Sequence, residues 1–72
     1  MVNVDKLKGK IVEKRSSVEE LSKVLGMDRS TLYRRFSNDG SEFTIREADL
    51  IAKALKLSGE EAYAIFFAQY VA

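Results

Sequence analysis

Apolar residues recur at helical spacing in successive segments of the chain, and no segment alternates convincingly as a strand would. In the first segment Val4, Leu7 and Ile11 share one face, and Asn3 stands where a helix cap is expected. This spacing predicts a first helix from about Val4 to Lys14. The same pattern continues through residues 1–72, which are predicted to form a single all-α domain of five helices.

Three of the later helices begin with the same local signal. In a capping box, a Ser or Thr side chain accepts a hydrogen bond from the backbone N–H three residues later. A Glu at that later position accepts one from the backbone N–H of the Ser or Thr. The sequence contains three such pairs, at Ser17 and Glu20, Thr44 and Glu47, and Ser58 and Glu61. They predict the starts of the second, fourth and fifth helices, with the fifth extending over about residues 58–71.

The segment of about residues 17–36 predicts two helices joined by a tight turn. Leu21 and Leu25 repeat at helical spacing, and Gly26 follows at once, as at a helix end where the backbone turns left-handed. Asp28 is then a good N-cap for the next helix, whose interior is rich in arginine. This arrangement is a helix-turn-helix.

Composition excludes several functional classes. The chain has 72 residues with no Cys and no His, so disulfides, thiolate or imidazole metal sites and the commonest general base are ruled out. The neighbouring carboxylates at Glu19–Glu20 and Glu60–Glu61 point about 100° apart on a helix and belong in a first turn, where they answer the helix dipole. We therefore expect no enzyme, metal or cofactor. Without a membrane span or signal peptide, a cytoplasmic protein without membrane contacts is expected.

The charge is distributed unevenly although the net charge is only +1. Residues 1–36 carry nine basic and five acidic side chains, a net +4, whereas residues 37–72 carry three and six, a net −3. A polyanion would be attracted to the first half and repelled by parts of the second. Asymmetry of this size also arises by chance in small proteins.

The chain resembles the small Cro/CI-type helix-turn-helix regulators of bacteriophages and prophages, known as the XRE class. The resemblance covers nearly the whole chain and rests on Leu21, Ser22, Gly26, Met27, the run Ser30–Arg34, Ala48 and the segment Ile51–Leu55. It implies a five-helix Cro/CI repressor-like fold that binds a double-stranded DNA operator and regulates transcription in a bacterial host cell. No small-molecule ligand is expected, because the chain has no room for a second sensing domain.

The third helix, about residues 29–36, is the expected recognition helix. On a helical wheel Leu32 and Phe36 mark the core side, and Arg34 lies opposite them. The resemblance assigns contacts with base edges to four positions, and the wheel independently selects most of them: Arg29, Ser30, Tyr33 and Arg34. For Tyr33 the alternative is a half-buried packing role.

Other residues are placed for phosphate contacts, which position a protein on DNA without reading sequence. These are Thr31, Arg35, Ser37, Asn38 and Lys14. Arg35 stands where relatives of this class often have an apolar residue, so it is alternatively solvated or paired with a carboxylate of a neighbouring helix. Lys14 shares a helix face with Lys6 and Lys10, and that stripe is alternatively a solvated surface.

The last segment, Ala62–Ala72, is apolar except for Gln69. A helix that is apolar all round must be buried on most sides, and a domain this small cannot enclose a terminal helix. We therefore expect a symmetric homodimer through Phe66, Phe67, Tyr70 and Val71. The alternatives are that some of these aromatics complete the monomer core, or that the tail is not helical.

The sequence thus predicts a sequence-specific DNA-binding regulator, most simply a phage repressor. The alternative is a helical protein-interaction module with the same fold, whose basic face binds an acidic protein. Binding to duplex DNA that survives competition by random DNA would separate the two.

Overall fold

The computed structural model describes residues 2–37 and 43–67. These residues form five α-helices and no strand: α1 (Val4–Glu13), α2 (Val18–Leu25), α3 (Arg29–Ser37), α4 (Ile45–Ala54) and α5 (Gly59–Phe66). The predicted all-α, five-helix architecture is confirmed. Among the described helices, none has the length and apolar character needed to cross a membrane.

The helix starts follow the predicted caps with one difference. Thr44 and Ser58 form complete capping boxes at α4 and α5, and the Asn3 side chain accepts a bond from the backbone N–H of Lys6 at 3.0 Å. At α2 the Ser17 hydroxyl accepts from the backbone N–H of Glu20 at 3.1 Å. The Glu20 carboxylate, however, accepts from the Ser16 hydroxyl at 3.3 Å. The predicted box at α2 is therefore half formed, and its carboxylate has a different described donor.

Three helices end in the same way, with a left-handed residue beyond the last turn. The residues are Arg15 (φ 56°), Gly26 (φ 69°) and Lys56 (φ 52°). At each end a backbone N–H reaches back to a carbonyl near the end of the helix, from Ser16 to Ile11 (2.9 Å), from Met27 to Ser22 (3.0 Å) and from Leu57 to Ala52 (2.9 Å). Only the end at Gly26 is predicted by residue type, since Arg and Lys seldom adopt this conformation.

The core is a single cluster to which every helix contributes. α2 packs against α3 and α4, and α5 packs against α1 and α4. The largest side chains with less than 2% exposure are Leu7, Leu21, Leu32, Ile51, Leu55 and Ile65. Each such burial contributes roughly 1.5–3 kcal/mol, so this cluster is the main source of stability.

The two ends of the described chain meet beside α5. The backbone N–H of Asn3 donates to the carbonyl of Ile65 at 2.8 Å, and Phe67 caps the helix with its N–H on the carbonyl of Tyr63 at 2.8 Å. The described part of α5 ends at Phe66. The prediction extends this helix to about residue 71, and residues 68–72 lie outside the described residues.

Candidate nucleic-acid interface

The turn between α2 and α3 has the geometry that the glycine predicts. Gly26 is left-handed, and its N–H donates to the carbonyl of Lys23 at 3.2 Å. Ser22, small and only 4% exposed, donates its hydroxyl to the carbonyl of Glu19 at 2.7 Å, so its polar atom is satisfied inside the core. This turn fixes the direction in which α3 leaves α2.

α3 has one buried face and one exposed face. Leu32 (0% exposed) and Phe36 (5%) anchor it to the core. The residues predicted to contact bases lie on the solvent side: Arg29, Ser30 and Arg34 are exposed, and Tyr33 is 51% exposed. About half of the Tyr33 surface is therefore accessible to solvent.

Arg35 is not placed for the predicted phosphate contact. Its guanidinium donates from Nη1 to the carboxylate Oε1 of Glu47 in α4, and the two side chains are 19% and 14% exposed. The same guanidinium lies over the ring of Phe43, 5.8 Å from its centroid. The alternative interpretation, an ion pair with a neighbouring helix, therefore replaces the phosphate contact, because the guanidinium is largely buried and its described contacts include Glu47 and Phe43.

The other residues predicted to contact phosphates are distributed differently. Ser37 is exposed, but its hydroxyl donates to the carbonyl of Tyr33 at 3.1 Å, so its proton would have to turn away to reach a phosphate. Thr31 is half-buried, and Lys14 is exposed at the C-cap of α1. Asn38 lies outside the described residues.

One basic residue lies near α3 without any sequence pattern that indicates this position. The ammonium group of Lys8 in α1 lies 5.8 Å from the ring centroid of Phe36, beside the last turn of α3, and Lys8 is exposed. No local pattern reveals which lysine of α1 meets α3, since that depends on how the two helices pack.

Lys10, the middle lysine of the predicted stripe, is a structural residue. Its ammonium donates to the carboxylate of Glu61 in α5 and to that of Glu13 at 3.2 Å. These bonds, first the one to Glu61, raise the pKa of Lys10, and the bond from Lys10 lowers the pKa of Glu61 to about 2. The pair joins α1 to α5, so Lys10 belongs neither to a phosphate contact nor to a freely solvated face.

The four residues predicted to form a dimer contact are not equally placed for one. Phe66 is 5% exposed and lies in the core, so little of its surface remains for a partner, and this part of the prediction is corrected. The aromatic network of the core reaches it, since Phe43 meets it edge to face with centroids 6.5 Å apart. Phe67 is half-buried, while Tyr70 and Val71 lie outside the described residues.

An apolar groove of about 200 Å³ runs between α4 and α5. Small side chains form much of it, and its lining is Ile45, Ala48, Asp49, Ala52, Ala62, Phe66 and Phe67. Ile45, one of the lining residues, is 77% exposed.

A comparison with family models matches the helix-turn-helix family over residues 10–61, more than half of the chain. The matched range includes α2, the turn, α3, α4 and the beginning of α5. Neither the search of curated proteins nor the search of solved structures found a match. The chain therefore belongs to the helix-turn-helix family of DNA-binding regulators, in the XRE class of Cro/CI-type proteins.

Proposed function

We propose that the chain binds double-stranded DNA sequence-specifically, with α3 in the major groove, and regulates transcription as a phage-type repressor. The observation that supports this most is the exposed face of α3. It presents Arg29, Ser30, Tyr33 and Arg34, and the helix contains no carboxylate. A helix of this kind can approach the phosphate backbone closely enough for its side chains to reach base edges.

Within this interface Arg34 is the residue best placed to contact a base. It lies opposite the buried Leu32–Phe36 face, and a guanidinium matches the two acceptors of guanine in the major groove. Ser30 and Tyr33 flank it on the same helix, and Arg29 occupies the first turn, the end that enters the groove first. Lys8, Thr31, Ser37, Asn38 and Lys14 are assigned to flanking phosphates.

The second part of the proposal is a symmetric homodimer. The apolar groove between α4 and α5, with the exposed Ile45 beside it, supports an interface on this side of the molecule. Phe67 lines the groove, and Tyr70 and Val71 are assigned to the same contact. A two-fold arrangement would present two copies of α3 to half-sites about 10 base pairs apart, or a multiple of that spacing.

Selection of bound sequences from a random duplex pool tests the function directly. We expect enrichment of an inverted repeat that the protein retains under competition by random DNA. If no sequence is enriched and binding hardly changes between low and moderate salt, the DNA proposal fails and the acidic-protein partner is favoured.

A further inference from the structure

Arg35 connects the recognition helix to α4 across the segment 38–42. Its guanidinium pairs with the Glu47 carboxylate and covers the ring of Phe43, the first described residue after that segment. Phe43 in turn lies against Phe36 of α3, with ring centroids 6.1 Å apart. The last turn of α3 is therefore attached to the start of α4 by a charged and an aromatic contact.

The carboxylate that holds Arg35 is itself held in place. Glu47 Oε1 accepts from the backbone N–H of Thr44 at 2.9 Å, and the Glu47 N–H donates to the Thr44 hydroxyl at 3.0 Å. The capping box thus fixes the carboxylate relative to the first turn of α4. The bond from Arg35 Nη1 to this fixed oxygen, together with the contact over the Phe43 ring, restricts the position and orientation of the planar guanidinium.

We propose that Arg35 and Glu47 form a positioning pair that sets the orientation of the last turn of α3 and thereby the aim of Tyr33 and Arg34 at the bases. Arg35 acts through its neighbours and does not contact DNA. The inference rests on the proposed function, since it concerns the same recognition helix. In this proposal Arg35 orients α3 and is not a phosphate ligand. The two roles predict opposite changes in operator affinity when Glu47 loses its charge.

Glu47→Gln is the informative variant because its amide oxygen can still complete the capping box. The change adds one positive charge per subunit, so a simple electrostatic effect would strengthen binding to every duplex. The same would follow if Arg35 were a phosphate ligand, since a neutral amide oxygen holds a guanidinium less strongly than a carboxylate does. If the two residues form a positioning pair, affinity for the selected operator falls instead, by about tenfold or more. A loss of this size is expected when one base contact loses its geometry. Random DNA is not bound more weakly.

Glu61→Gln is the matched control. Glu61 is also the carboxylate of a capping box and also pairs with a cation on another helix, but that cation is Lys10 of α1 rather than a residue of α3. Both variants gain the same charge and lose one interhelical ion pair. We expect the ratio of operator to random affinity to fall in Glu47→Gln and to remain at the wild-type value in Glu61→Gln.

Arg35 variants complete the test. Arg35→Met should lower the operator-to-random ratio about as much as Glu47→Gln, and the double variant no further, because the two residues act as one unit. Arg35→Lys retains the charge and should restore part of the ratio. The slope of log affinity against log salt should remain unchanged in Arg35→Met, whereas loss of a phosphate contact reduces its magnitude by about 0.9.

The opposite results would overturn the inference. One is an operator-to-random affinity ratio in Glu47→Gln that equals the ratio in Glu61→Gln. The other is an equal loss of affinity for both duplexes in Arg35→Met, together with a smaller salt slope. If Arg35→Met does not fold, Glu47→Gln and its control decide alone. If the wild type binds no DNA, the proposed function fails. Residual dipolar couplings of α3 relative to α4 then decide the positioning role, and unchanged couplings in Glu47→Gln refute it.

Discussion

Arg34 is the residue on which the proposed base recognition depends most. It is exposed, it lies on the side of α3 away from the core, and its planar group suits guanine. Arg34→Ala should cost about 1–3 kcal/mol of binding free energy on the selected operator and much less on random DNA, measured by titration of labelled duplexes. Arg46→Ala, the same change at an exposed position of α4, is the control. Equal losses for Arg34→Ala on both duplexes would show that Arg34 touches only phosphate.

The ion pair between Lys10 and Glu61 makes stability depend on pH in acid. Because the pKa of Glu61 is lowered to about 2 from 4.5, the pair contributes stability above the ordinary pKa of a glutamate. That contribution is lost as the pH falls from 4.5 towards 2. The pKa of Lys10 is raised, so its part is lost only in strong base. Thermal unfolding should show a steeper loss of stability over this acid range in the wild type than in Glu61→Gln. Parallel curves would contradict the prediction.

At the scale of helices, the ends of α2 and α4 offer a reciprocal pair of tests. Gly26 is left-handed, and apart from its chain neighbours no atom of the described residues lies within 4 Å of the position that a Cβ would occupy. Gly26→Ala should therefore cost about 1 kcal/mol in unfolding free energy from backbone conformation alone. Lys56 has the same conformation with a side chain, and Lys56→Gly should gain about 0.5–1 kcal/mol. Lys56→Ala removes the charge but retains the Cβ, so it should show no such gain. Urea unfolding measures all three, and a loss in Lys56→Gly would refute the argument.

The helix starts could be predicted from sequence because a cap is a local event. Thr44 and Glu47 stand three residues apart, and both halves of the box form between them. The contact between α5 and the start of the chain could not be predicted in this way. The Ile65 carbonyl accepts from the N–H of Asn3, and no periodicity within the apolar segment indicates that contact.

The same division holds for the candidate interface. A helical wheel separates Leu32 and Phe36 from Arg34 because the exposed and buried faces of α3 follow from helix geometry. The partner of Arg35 and the position of Lys8 depend on how α4 and α1 pack against α3. Residue type shows that Arg35 and Lys8 are cations. Tertiary packing determines that Arg35 is paired and that Lys8 lies at the edge of the interface.

For the whole molecule, the uneven charge of the sequence is partly neutralised within the fold. Lys10 and Arg35 belong to the basic half, and their partners Glu61 and Glu47 belong to the acidic half. These pairs place two carboxylates of the second half against cations of the first. The charge that remains on the exposed face of α3 is therefore a better guide to DNA binding than the charge of either half.

Association of the whole molecule is tested at the groove between α4 and α5. Ile45 is 77% exposed at the groove, so leaving it in water would forgo roughly 1.5–3 kcal/mol that burial by a partner would contribute. Ile45→Glu should therefore weaken the dimer. It should leave the monomer folded, because an acidic residue in the first turn of α4 interacts favourably with the helix dipole. Val12→Glu is the matched control, because Val12 is equally exposed but lies on α1.

Sedimentation at micromolar concentration should give a dimer for the wild type and Val12→Glu, and a monomer for Ile45→Glu. On DNA, Ile45→Glu should bind the inverted repeat more weakly while retaining the wild-type affinity for an isolated half-site, since only the second subunit is lost. If all three proteins remain monomeric and bind the full operator equally well, the dimer is refuted. The groove would then be surface that a small domain leaves exposed, and each operator half-site would be recognised by an independent subunit.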